Sequence, residues 1–108
     1  MAELNDAEPA HLAVAVEMQS DGPVVRLSGE LDLSTADALN AAIEPVLASP
    51  PDQLRFDVDA LQFLDSSGLA VLVRCATRVG RVVLLHPSTI VRRIIEAAGL
   101  SEVLLIDS

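Results

Sequence analysis

The chain has 108 residues, 51% of them apolar, which suffices for one domain whose core needs neither a metal nor a disulfide. Seven Lys and Arg stand against sixteen Asp and Glu, a formal net charge of −9, and only 2% of the residues are aromatic. A surface of that sign repels a phosphate backbone and offers bases little to stack on, so nucleic acid is excluded as an expected partner, leaving protein or a small ligand.

No apolar run approaches the roughly 18 to 20 residues that cross a bilayer. The opening MAELNDAEPAH carries acidic residues where a secretory signal carries basic ones, so the expected location is the cytoplasm, with no membrane span. The single Cys75 cannot close an internal disulfide, and in the apolar segment LAVLVRCA it reads as a packed core residue.

Residues 1–10 lack any period and read as a flexible N-terminal segment ahead of one domain over 11–108. HLAVAVEM then alternates, with Leu12, Val14 and Val16 on one face, which predicts a strand. The turn cluster Ser20-Asp21-Gly22-Pro23 leads into a second extended segment from Val24 to Gly29, and the two together predict a hairpin. From Ser34 the period becomes helical through Ala36, Leu39, Ile43 and Val46 or Leu47, with Ser34 or Thr35 as N-cap and an end near Ala48. Pro45 falls late in this helix, where its missing N–H is expected to kink or end the regular part.

Leu54–Val58 reads as a third strand, and Leu61–Leu64 continues to a turn at Asp65. Leu69, Leu72, Val73 and Ala76 form the stripe of a second helix that Gly80 ends, and Arg81–Leu85 is short and apolar enough for a buried strand. Ser88 caps a third helix with Val91, Ile94, Ile95 and Ala98 on its core face and Gly99 at a left-handed end. Val103–Ile106 either forms a terminal strand or packs on the core. Strands alternating with helices after an opening hairpin predict an α/β fold with a mixed sheet.

Leu64-Asp65-Ser66-Ser67-Gly68-Leu69 lies where the chain leaves a strand and enters a helix. Unpaired N–H groups at such a start can hold an anion, a phosphoserine included, while Asp65, Ser66 or Ser67 can equally serve as the helix cap; the two roles are compatible. Nucleophilic use of Ser67 requires a base, and the two histidines, His11 and His86, lie in no hydrolase motif, although His86 could approach the turn in space. Asp32, Asp57, Asp59 and Asp65 fall in different loops without metal-loop spacing, and no glycine-rich nucleotide fingerprint occurs, so neither a metal nor any other cofactor is expected.

Ser28-Gly29-Glu30-Leu31-Asp32 with Thr35-Ala36, Phe63 through Leu69, Pro87-Ser88, Val91-Arg92-Arg93-Ile94 and Gly99-Leu100 together resemble, in order, the signature of the STAS domain family, over about His11 to Ile106. The resemblance is to its anti-sigma factor antagonists, or anti-anti-sigma factors. It implies a mixed sheet of four to five strands with helices mainly on one side, and a transcription regulator that is a substrate and not an enzyme. In that family the antagonist binds an anti-sigma factor that is also a serine kinase, which releases a sigma factor; phosphorylation of the motif's second serine breaks the complex, and a phosphatase resets it. By the match, Ser67 is the phosphorylated residue, and Asp32, Asp65, Ser66 and Gly68 contribute to partner binding. The alternative is a STAS interaction or scaffold module not switched by phosphate, such as a transporter accessory subunit.

Overall fold

The structure is a computed structural model that describes residues 12–107. The segment expected over 1–10, and His11, lie outside the described residues. Two strands open the fold as an antiparallel hairpin, β1 (Leu12–Gln19) and β2 (Gly22–Leu31). There follow α1 (Ala36–Leu47), β3 (Gln53–Leu64), α2 (Ser66–Arg78), β4 (Arg81–Leu85), α3 (Thr89–Ala97) and β5 (Leu104–Asp107). The five strands form one sheet in the order β1-β2-β3-β4-β5, parallel from β2 onward, so each parallel neighbour is reached through a helical crossover. Val103–Ile106 thus resolves as a strand, beginning one residue later than expected.

One cluster holds the core. It joins Val25, Leu27, Leu54, Phe56, Val58, Val82 and Leu84 of the strands to buried residues of all three helices. The opposite face carries Glu17, Arg26, Arg55 and Asp57, with ion pairs from Arg26 to Glu17 at 2.8 Å and to Asp57 at 3.0 Å, and from Arg55 to Asp21 at 2.7 Å. Period-2 alternation along β2 and β3 is what separates the two faces.

Several sequence expectations shift by a residue or a face. The stripe of α2 centres on Gly68, Val71, Leu72 and Cys75, with Leu69, Val73 and Ala76 packed at its margin; the expected stripe was rotated because the alanines and valines leave the pattern nearly degenerate. Ala98 is exposed and not on the core face of α3. In α1 the chain continues helically past Pro45 to Leu47, and the Ala48 N–H still reaches the Glu44 carbonyl at 3.0 Å. Pro45 therefore does not end the helix. Ser88 caps α3 by accepting from the Val91 N–H, and Gly99 has φ of 74°, the left-handed end expected.

Strand β3 is one continuous element, where the sequence suggested two pieces. Its pairing with β2 slips twice, between the rows Arg26↔Asp57 and Ser28↔Ala60 and again between Gly29↔Leu61 and Glu30↔Phe63. Each slip inserts one extra residue into β3, so its buried positions pass from Leu54, Phe56 and Val58 to Leu61 and Leu64. A strand read by alternation alone breaks there.

Candidate functional site

After Leu64 enters the core the chain turns directly into α2. Asp65 has extended backbone and forms the N-cap, its Oδ1 accepting from the N–H of Ser67 at 2.9 Å and of Gly68 at 3.1 Å. The Leu69 N–H closes onto the Asp65 carbonyl at 2.9 Å. A carboxylate thus already occupies the positive end of the helix. The expectation that these N–H groups stand unpaired for an anion is corrected: a phosphate on Ser67 would have to compete with Asp65 for the same donors.

The Asp65 N–H donates to the Leu31 carbonyl at 3.2 Å, fastening the cap to the end of β2. The helix start lies so close to that strand that a Cβ on Gly68 would stand 2.6 Å from Leu31 Cγ, 2.7 Å from Leu64 Cδ1 and 2.9 Å from the Leu31 oxygen. Gly68, expected to contribute to partner binding, is buried and acts as a spacer. Close packing against the Leu31 and Leu64 side chains and the Leu31 carbonyl is the reason the position takes no side chain.

The loop after β2 builds the other wall. Asp32 Oδ1 accepts from the Ser34 N–H at 2.9 Å and the Ser34 hydroxyl at 2.7 Å. Thr35 is buried; its hydroxyl accepts from the Asp32 N–H at 2.9 Å and donates to the Glu30 carbonyl at 2.9 Å. Thr35 is therefore the N-cap of α1 by position but caps nothing with its side chain. The Ser34 hydroxyl, helped by the Ser34 and Thr35 N–H groups and the Thr35 hydroxyl, holds the Asp32 carboxyl below its ordinary value against the raising effect of desolvation.

Asp32, Leu33, Ser34, Phe63 and Asp65 line one shallow depression, so the two acidic blocks that the sequence separates by more than thirty residues meet on one surface. Ser66 is exposed and Ser67 half-buried beside it, and neither hydroxyl makes a hydrogen bond among the described residues. Phe63, although part of the quoted signature, and Leu33 were not read as site residues from the sequence. The signal was present in the broken alternation of Val58 through Leu64, which places an aromatic one residue out of phase.

His86 does not approach the turn. Its backbone takes φ of 58°, and Nδ1 lies 3.5 Å from Asp57 Oδ1, in the middle of the sheet where Asp57 pairs with Leu85. It is not placed to serve Ser67 as a base. Around Asp57, burial raises the carboxyl pKa, but the Asp59 N–H, His86 and Arg26 together outweigh it and leave the group below its ordinary value. Cys75 lies in the core, where burial pushes its thiol up to about 11. No helix among the described residues is long and apolar enough to cross a membrane.

The site is thus a mixed sheet with helices on one face and an Asp-Ser-Ser-Gly turn fastened to the end of β2, beside the loop of Asp32. Residues 14–107 match the family model described as Mlab, STAS domain, and the chain belongs to the STAS family. It is 34% identical over 97 residues, 87% of this chain and 80% of its relative, to the anti-sigma-F factor antagonist RsfB of Mycobacterium tuberculosis. Among solved structures it is similar to an anti-sigma factor antagonist from Mycobacterium paratuberculosis, with TM-score 0.82, 33% identity and coverage of 91% of this chain and 86% of that one. It is also similar to the antagonist SpoIIAA in its unphosphorylated form, with TM-score 0.75, 27% identity and 89% of each chain covered. The phosphorylated form of Bacillus SpoIIAA matches with TM-score 0.69, 26% identity and coverage of 89% of this chain and 92% of that one. These relatives are anti-sigma factor antagonists, regulatory binding proteins.

Proposed function

We propose that this protein is an anti-sigma factor antagonist of the cytoplasm, switched by phosphorylation of Ser67. Unphosphorylated, it binds an anti-sigma factor that is also a serine kinase, and so releases a sigma factor; a separate phosphatase restores the serine. The observation that carries this reading is the division of labour within the turn. Asp65 is engaged in capping and Gly68 in packing, whereas the Ser67 hydroxyl, two residues beyond the Asp65 that lines one depression with Asp32, makes no hydrogen bond among the described residues.

In the transfer the Ser67 oxygen attacks the γ-phosphorus of ATP, the bond to the ADP oxygen breaks, and the serine proton passes to a base. Base, nucleotide and magnesium come from the kinase, since a serine hydroxyl is a weak nucleophile and His86 is held at Asp57. This chain is the substrate. The product phosphate adds about −1.5 to −2 charges next to the Asp65 carboxylate and toward the phosphates of the kinase-bound nucleotide, so like-charge repulsion and lost fit both favour release.

The test is incubation with the anti-sigma factor, ATP and magnesium, followed by intact mass, phosphopeptide mapping and calorimetry. Ser67→Ala is expected to bind without accepting phosphate, Ser67→Asp to bind more weakly, and Ser66→Ala to accept phosphate still. Phosphate on Ser66 alone, or equal partner affinity of both forms, overturns the assignment. Failure of any phosphate transfer with retained protein binding favours the unswitched STAS module.

A further inference from the structure

We infer that Phe63, with Leu33 beside it, is the apolar anchor on which the partner protein seats, and that Asp32 and Asp65 select a partner surface bearing Arg or Lys around a hydrophobic pocket. This deepens the function proposed above and rests on it.

The chain contains only two Phe, and they lie in opposite environments. Phe56 is fully buried in the core, while Phe63 is 47% exposed although it belongs to the same strand. The two slips in the β2–β3 pairing set this phase: the first carries the buried position from Val58 to Leu61 and the second from Leu61 to Leu64, which leaves Phe63 facing outward. Bulges that re-aim a side chain are over-represented next to working surfaces. Leu33, at the tip of the Asp32 loop, is 78% exposed and lines the same depression. An aromatic side chain displayed within a polar rim matches the make-up of protein interfaces, where Phe is enriched.

Charge complementarity identifies the occupant. The depression contains two carboxylates, from Asp32 and Asp65, and no cationic side chain, within a chain of net charge −9. A partner surface with a guanidinium or ammonium group on each side of a pocket for the ring meets both demands. The same arrangement explains how one phosphate acts. A gap of about an ångström forfeits up to about half of an apolar contact, whereas charge attraction screened over about 8 Å hardly changes, so a phosphoryl group that lifts the partner off Phe63 weakens the apolar anchor specifically.

The probe is the anti-sigma factor that phosphorylates the wild-type chain in the assay above, with affinities measured by calorimetry from low to high salt. Phe63→Ala and Leu33→Ala are expected to weaken binding at least tenfold and at least threefold without changing the slope against salt. Asp32→Asn, which keeps the acceptor for Ser34, is expected to flatten that slope. Met18→Ala, 74% exposed at the far end of β1, serves as the control and leaves affinity unchanged. Circular dichroism and melting verify that each variant folds, and intact mass verifies that each still accepts phosphate at high concentration. A folded Phe63→Ala that binds like the wild type overturns the anchor while leaving the phosphorylation switch standing. A wild-type chain that neither binds nor receives phosphate overturns the switch, and the anchor with it.

Discussion

Replacing Gly68 by Ala tests whether the helix start is set by its approach to β2. The added methyl meets three atoms below 3.0 Å, and they differ in how they can yield. Leu64 Cδ1 is the end of a side chain, but Leu64 is itself buried; Leu31 Cγ is a branch point in a side chain with no exposure. The Leu31 oxygen is backbone, and it also accepts the Asp65 N–H that holds the cap in place. Relief therefore requires moving α2 away from the sheet. Overpacking of this kind costs about 1–3 kcal/mol, and the three contacts place it in the upper half. The better helix propensity of Ala offsets at most about 1 kcal/mol. A net loss of about 1–2 kcal/mol should lower the melting temperature by roughly 5–10 °C for a domain of this size. Urea and thermal unfolding followed by circular dichroism measure both quantities, and phosphate transfer to Ser67 should slow in parallel as the turn is displaced. A Gly68→Ala protein as stable as the wild type, or more so, would refute the close packing on which the geometry of the turn depends.

Asp65→Ala removes the acceptor for two N–H groups and should cost about 1–2 kcal/mol, with Asp65→Asn losing clearly less; denaturant midpoints separate the two. Phe56→Ala empties the centre of the core and should cost about 3–5 kcal/mol, enough to leave much of the chain unfolded by circular dichroism near 37 °C. Cys75, buried and with its thiol pushed up to about 11, should react with a maleimide at pH 7 only after urea is added; fast labelling of native protein would contradict its place in the core. Asp32, held low chiefly by the Ser34 hydroxyl, and Asp57, where the Asp59 N–H, His86 and Arg26 overcome the raising effect of burial, both have folded values below the reference 3.8. Their contribution is therefore complete above the unfolded value and lost as pH falls through the lowered folded ones. Unfolding free energy should decline below about pH 4, and the decline should be shallower in Asp32→Asn.

What a local period encodes was legible in the sequence. Alternation located β1 and β2, a 3.6-residue recurrence located the helices, and Ser88 and Gly99 marked the ends of α3, because these depend on groups a few residues apart. The order of the Asp32 block, the Asp-Ser-Ser-Gly turn and the α3 block was enough to suggest the STAS family. Pairing across the sheet decided the rest. Whether an extra residue is absorbed as a bulge depends on the register of β3 against β2, more than twenty residues away, and that register turns Phe63 outward and Leu64 inward. The burial of Gly68, the bond from Asp65 to Leu31 and the contact of His86 with Asp57 instead of the turn likewise arise only where distant segments meet. A sequence period specifies which face of an element is apolar; the separation between two such faces, and hence which side chains remain at the surface between them, is determined by how they pack.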